Sequence, residues 1–155
     1  IKTVLAKDWG YRIEIIKPAL LCDFLVGWTK QPSISKDMIN LVKSAITRAF
    51  LEDTERNVQI CKQALQTGDK MAVKASLQKV SDLLLGLSSA IYNDKLKALK
   101  SAEKGLDVIA KSSGSGGGDC GIAISFSESD SHELAQRWQK AGIEILYQER
   151  LSDER

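Results

Sequence analysis

From Ser35 to about Ala110 the apolar residues recur at steps of three and four, while the segments on either side are patterned as strands. This change of period constrains the fold more than any other feature. Ile39, Val42, Ile46, Phe50, Val58, Cys61, Leu65, Val73, Leu77, Val80, Leu84 and Leu87 carry the helical pattern. Gly68-Asp69 reads as a break between helices and Tyr92-Asn93-Asp94 as a turn, which divides the stretch into three or four helices. Before it, WGYRIEIIK alternates through Ile13, Ile15 and Lys17 until Pro18 ends the run, and ALLCDFLVGWT is a nearly continuous apolar strand buried on both faces. After it come a strand at 120–127, a helix from about Ser131 to Ala141, and a last strand at 143–149. The order of two strands, helices, strand, helix, strand predicts an α+β fold, an antiparallel sheet with helices packed on one face.

Five of the eleven glycines fall between Gly114 and Gly121, in the string KSSGSGGGDCGIAISF. Each glycine forgoes roughly 0.4–1 kcal/mol that a compatible alanine would save through the unfolded chain, so the cluster needs a reason. One is a flexible linker. The apolar strand that begins directly afterwards speaks against it, and so does the helical pattern of KALKSAEKGLDVIAK directly before. The glycines are therefore expected to join a helix to a strand within one domain. Bare backbone amides in such a loop form a concave nest for phosphate oxygens, to which Ser113 and Ser115 add hydroxyls and Asp119 a carboxylate. Neither G-x-x-x-x-G-K-[ST] nor G-x-G-x-x-G before a helix is present.

SSGSGGGDCGIAISF resembles the third, glycine-rich motif of the GHMP small-molecule kinases, and its GGGDCGIA core is most similar to the phosphomevalonate kinase branch. LVGWTKQPSISKDM at residues 25–38 and GIEILYQER near the C-terminus resemble the same branch; Ser115 stands where these enzymes more often carry alanine. The resemblance implies a ferredoxin-like GHMP kinase C-terminal domain over residues 1–155. It implies transfer of the ATP γ-phosphoryl group to phosphomevalonate with Mg2+, in the mevalonate route to isoprenoids. It also implies a phosphate-binding set of Ser113, Gly114, Ser115, Gly116, Gly117, Gly118 and Asp119, with Ser33 and Ser35 beside the acceptor. The family's N-terminal phosphate motif is not found, so an N-terminal ATP-binding domain is expected as the missing partner and this segment alone is expected to be inactive. Other readings are another GHMP kinase such as mevalonate kinase, a non-catalytic ferredoxin-like anion-binding module, and self-association through an uncovered domain interface.

With 155 residues, 43% of them apolar, the chain is long enough for one real core. A net charge of +2 gives no reason to expect a nucleic-acid partner. No apolar run approaches the ~20 residues of a membrane span, and no signal peptide is visible. Three widely spaced cysteines, Cys22, Cys61 and Cys120, fit reduced thiols and no metal pattern, so a cytoplasmic location without membrane contact is expected.

Ser35 precedes a helical pattern with Asp37 in the first turn, so helix capping accounts for it. A second phosphate held by the same helix start is the sharper reading. Trp28 is expected in the core. His132, the only histidine, is assigned to the surface and Asp23 to structure, which leaves the catalytic base unassigned.

Overall fold

The computed structural model describes Gly10, residues 12–32, Lys36, Asn40, and residues 42–113 and 118–151. The elements are β1 (Cys22–Trp28), α1 (Arg48–Thr67), α2 (Lys70–Leu87), a 3-10 turn (Ser89–Ile91), α3 (Asp94–Ser101), β2 (Val108–Ser112), β3 (Cys120–Ser125), α4 (Glu128–Lys140) and β4 (Glu144–Leu151). The strands form one antiparallel sheet in the order β2-β3-β1-β4. Among the described residues, no helix is long and apolar enough to cross a membrane.

Local chemistry sets most boundaries. Gly68 ends α1 in the left-handed region at φ 80°, its N–H donating to the Ala64 carbonyl, and Asp69 caps α2 by accepting from the Ala72 N–H. Asn93 caps α3 in the same way through Leu96, and Ser127 caps α4 through Asp130. The break at Gly68-Asp69 and the turn at 92–94 are therefore where the sequence places them.

Alternation along the strands sends side chains to two apolar clusters. Leu25, Val108, Ala110 and Ala123 face α3 and α4, where Leu96, Leu99, Leu134 and Trp138 are fully buried. Cys22, Ile109 and Ile124 point the other way, toward Ala64 and Val73 of the α1–α2 hairpin, with Phe24, Cys61, Leu65 and Leu77 at the margin. The α+β class and the antiparallel sheet are those expected. The α3–α4 layer covers one face, and the long hairpin adds a layer on the other.

Two sequence assignments change. Residues 12–17 join no strand ladder: Ile13 and Ile15 are 79% and 93% exposed, and the segment is tied to α1 by the Ala19 N–H to the Leu65 carbonyl, 2.7 Å, and by an ion pair between Glu14 and Lys62. The fourth strand is instead β2, inside the stretch read as helical up to Ala110. Gly105, at φ 79°, turns the chain out of helical geometry, and Val108 to Ser112 then pair with β3. The glycine string consequently joins two strands as a hairpin, not a helix to a strand. Asp107, at the start of β2, accepts from Lys70 at 2.8 Å and Lys74 at 3.0 Å, fastening α2 to the sheet.

Candidate functional site

The motifs at 25–38 and 113–121 meet because β1 pairs with β3, Trp28 lying opposite Cys120 and Gly27 opposite Gly121. Beyond the paired ends the two loops are bonded to each other. The Thr29 N–H and the Thr29 hydroxyl both donate to the Asp119 carbonyl at 2.8 Å, and the Asp119 N–H donates back to the Gln31 carbonyl at 2.6 Å. Thr29 is fully buried, so these bonds lie where water competes least. Lys30 and Asp119 both adopt left-handed backbone, φ 62° and 61°, conformations that non-glycine residues hold only when their surroundings over-determine them.

Gly118 is the glycine whose need for a missing side chain is explicit. Its φ is 143°, and a Cβ there would stand 2.9 Å from the Gln31 carbonyl oxygen and 3.0 Å from that of Pro32. Both neighbours are backbone, so no rotamer change relieves the contact. Gly121 and Gly27 serve a different purpose: a Cβ on Gly121 would meet the Leu99 methyls at 2.6 Å, and one on Gly27 would meet Trp138 and Ile143 at 2.9 Å. These two are packing glycines of the sheet.

The described phosphate-site candidates are Ser113, Gly118 and Asp119, all at the edges of the loop; Gly114, Ser115, Gly116, Gly117, Ser33 and Ser35 lie outside the described residues. The Ser113 N–H is committed to the Cys120 carbonyl at 3.1 Å and that of Asp119 to Gln31. These two amides are therefore engaged within the protein. The Asp119 carboxylate is exposed and repels a phosphate, which gives this residue a role in joining the loops through its backbone. Burial, together with the neighbouring Asp119 charge, pushes the Cys120 thiol above its ordinary pKa, so at neutral pH it is a protonated neighbour rather than a nucleophile.

Side chains absent from the motif-based site set brace this end. The Asn93 amide donates to the Gln31 side-chain oxygen at 3.1 Å, Lys111 Nζ to the Ser112 carbonyl at 2.5 Å, and the Ser112 N–H to the Tyr92 hydroxyl at 3.2 Å. Burial lowers the Lys111 pKa. Tyr92 and Asn93 were legible only as a turn, because nothing in their spacing shows that the turn abuts a loop twenty residues away.

The remaining assignments are resolved by their contacts. Asp23 is buried between the Ser131 hydroxyl at 2.6 Å and Arg150 at 3.0 Å, a structural pair. His132 is exposed on α4, sharing a hydrogen bond with Gln136. Trp28, expected in the core, is half-buried at the loop end of β1. All three cysteines are free. Among the described residues no group of three or more His, Cys, Asp or Glu side chains is placed to hold a metal ion.

The comparisons with known proteins agree with this architecture. The phosphomevalonate kinase of Streptomyces sp. (strain CL190) is 32% identical over 130 residues, which make up 76% of this chain and 35% of that protein. The crystal structure of Streptococcus pneumoniae phosphomevalonate kinase superposes with a TM-score of 0.90 at 45% identity, covering 97% of this chain and 47% of that one. The same enzyme in complex with phosphomevalonate and AMPPNP gives 0.89 and 46%, covering 96% and 45%. The chain thus spans less than half the length of these relatives. The family model for the GHMP kinases C terminal matches residues 59–144, more than half of the chain. With its sheet, its hairpin loop and this match together, the chain belongs to the GHMP kinase C-terminal family.

Proposed function

We propose that this chain is the C-terminal part of a kinase that moves the γ-phosphoryl group of Mg-ATP onto the phosphate of phosphomevalonate, giving diphosphomevalonate, and that the loops at 29–35 and 113–119 hold the acceptor end. The observation that carries the reading is the locked pair of loops, in a chain 46% identical over nearly its whole length to a kinase solved with phosphomevalonate and AMPPNP. An N-terminal ATP-binding domain is the partner this reading requires, and a cytoplasmic setting suits its small-molecule substrates.

Phosphoryl transfer asks the protein for alignment and for neutralisation of charge rather than for covalent chemistry. Two phosphate groups brought into line repel each other, and fixed backbone dipoles offset that repulsion without reorganising during the reaction. Here the Thr29–Asp119–Gln31 bonds fix the loop edges, the amides of Gly114 to Gly118 supply the dipoles, and Ser113 and Ser115 supply hydroxyls. Ser33 and Ser35, which follow Pro32 in the sequence, are assigned to the same phosphate by the resemblance alone. Loss of one such donor costs about 2.7–4 kcal/mol of transition-state stabilisation.

The test is turnover of phosphomevalonate with Mg-ATP by the full-length protein and by this segment, beside a panel containing mevalonate. Activity at full length only, on phosphomevalonate, is the expected result. Preference for mevalonate would move the acceptor assignment within the superfamily. Tight phosphate binding by this segment, with no turnover by either form, would replace the kinase reading with that of an anion-binding module.

A further inference from the structure

β2 is the edge strand of the sheet next to the glycine loop, and among the described residues no strand pairs with its outward N–H groups. Two side chains fill the vacant ladder. The Ala110 N–H donates to Glu103 Oε2 at 2.6 Å, and the Ser112 N–H donates to the Tyr92 hydroxyl at 3.2 Å. The Tyr92 hydroxyl is itself fixed by Ser81 Oγ of α2 at 2.5 Å, and Tyr92, Ser81 and Ser112 are all buried. Ser112 is the last residue of β2, so this is the final side-chain anchor before the chain enters the loop. Asn93, the next residue after Tyr92, reaches Gln31 on the partner loop. One connection between α2 and α3 thus touches the roots of both loops.

We propose that Tyr92 is a positioning residue: its hydroxyl, held by Ser81, clamps the Ser112 backbone and so fixes the end of β2 from which the chain enters the glycine string. For the reaction this rests on the kinase reading above; the clamp itself does not. A phenyl ring in place of the phenol keeps the packing but leaves a buried N–H and a buried serine hydroxyl without this partner. Among the described residues the Ser112 hydroxyl is buried with no partner of its own, so it is the nearest group that could replace the phenol, and Ser112→Ala combined with Tyr92→Phe removes that replacement.

The experiment compares wild type with Tyr92→Phe in the full-length protein by steady-state kinetics and amide hydrogen exchange. In a folded Tyr92→Phe, kcat/KM for phosphomevalonate falls about tenfold, the rate equivalent of one buried hydrogen bond. The Ser113 and Asp119 amides exchange about tenfold faster. A purely structural tyrosine would shift the urea midpoint and leave kcat, KM and loop exchange unmoved. That outcome overturns the proposal, as does a change in kinetics or in loop exchange without the other. If Tyr92→Phe does not fold, Ser81→Ala, which leaves the ring in place, is expected to give the same two changes at about threefold, and their absence overturns the proposal. If the wild type does not turn over phosphomevalonate, the kinase reading fails and the exchange result alone decides the clamp.

Discussion

The two faces of the sheet are packed on opposite plans. Toward α3 and α4 the strands present mostly small residues, Gly27, Ala110, Gly121 and Ala123 beside Leu25 and Val108, and the helices supply most of the bulk, Leu96, Leu99, Leu134 and Trp138. Toward the α1–α2 hairpin the strands supply Phe24, Ile109, Ile122 and Ile124, and the hairpin leaves a cavity of about 340 Å³ bordered by Ile16, Cys61, Leu65, Leu77, Val80 and Lys111. Small on large allows close approach with no spare volume, whereas large on large leaves gaps wherever shapes do not match. The close-packed face therefore fixes β1 and β3, the strands that carry the two loops, and the looser face can accept change.

The sharpest way to break this contrast is Trp138→Ala. The indole is fully buried and its Nε1–H donates to the Leu99 carbonyl at 3.1 Å, so a loss of about 3–5 kcal/mol is expected from the urea midpoint. Gly27→Ala should cost about 1–3 kcal/mol by overpacking against Trp138 and Ile143, measured in the same way. A cost near zero would show that the close-packed face yields more than its contacts suggest.

A smaller effect is expected from acid. Burial raises the Asp23 pKa, but hydrogen bonds from Arg150 and Ser131 outweigh it and leave the carboxyl below its ordinary value. The stability it contributes is therefore complete above about pH 4 and is lost as pH falls through the lowered pKa. Asp23→Asn should flatten the urea midpoint between pH 4 and the acid limit; an unchanged slope would remove the pair from the account. Smallest of all, Val80→Leu beside the cavity should leave stability within about 0.5 kcal/mol, because the added methylene enters existing space.

Strands with a clear apolar run were legible in the sequence: β1, β3 and β4 lie within a few residues of their expected limits, and so does α4, although its cap Ser127 precedes the expected start at Ser131. β2 was not, since Val108 to Ser112 continue a helical apolar pattern and only pairing with β3 makes them a strand. Residues 12–17 show the converse. Alternation makes a segment competent to be a strand but supplies no partner, and Ile13 and Ile15 face solvent. At the candidate site the glycine string and the Trp28-Thr29 segment stand out by composition. Their contact, and the bracing by Tyr92 and Lys111, depend on tertiary neighbours that no local pattern encodes.

The bond from Thr29 to Asp119 spans ninety residues of chain. As the polypeptide leaves a ribosome, α1 and α2 can pair as soon as they emerge, but β1 must wait, unpartnered and largely apolar, until β3 and then β4 have been made. Neither loop acquires its final geometry until most of the domain has been synthesised.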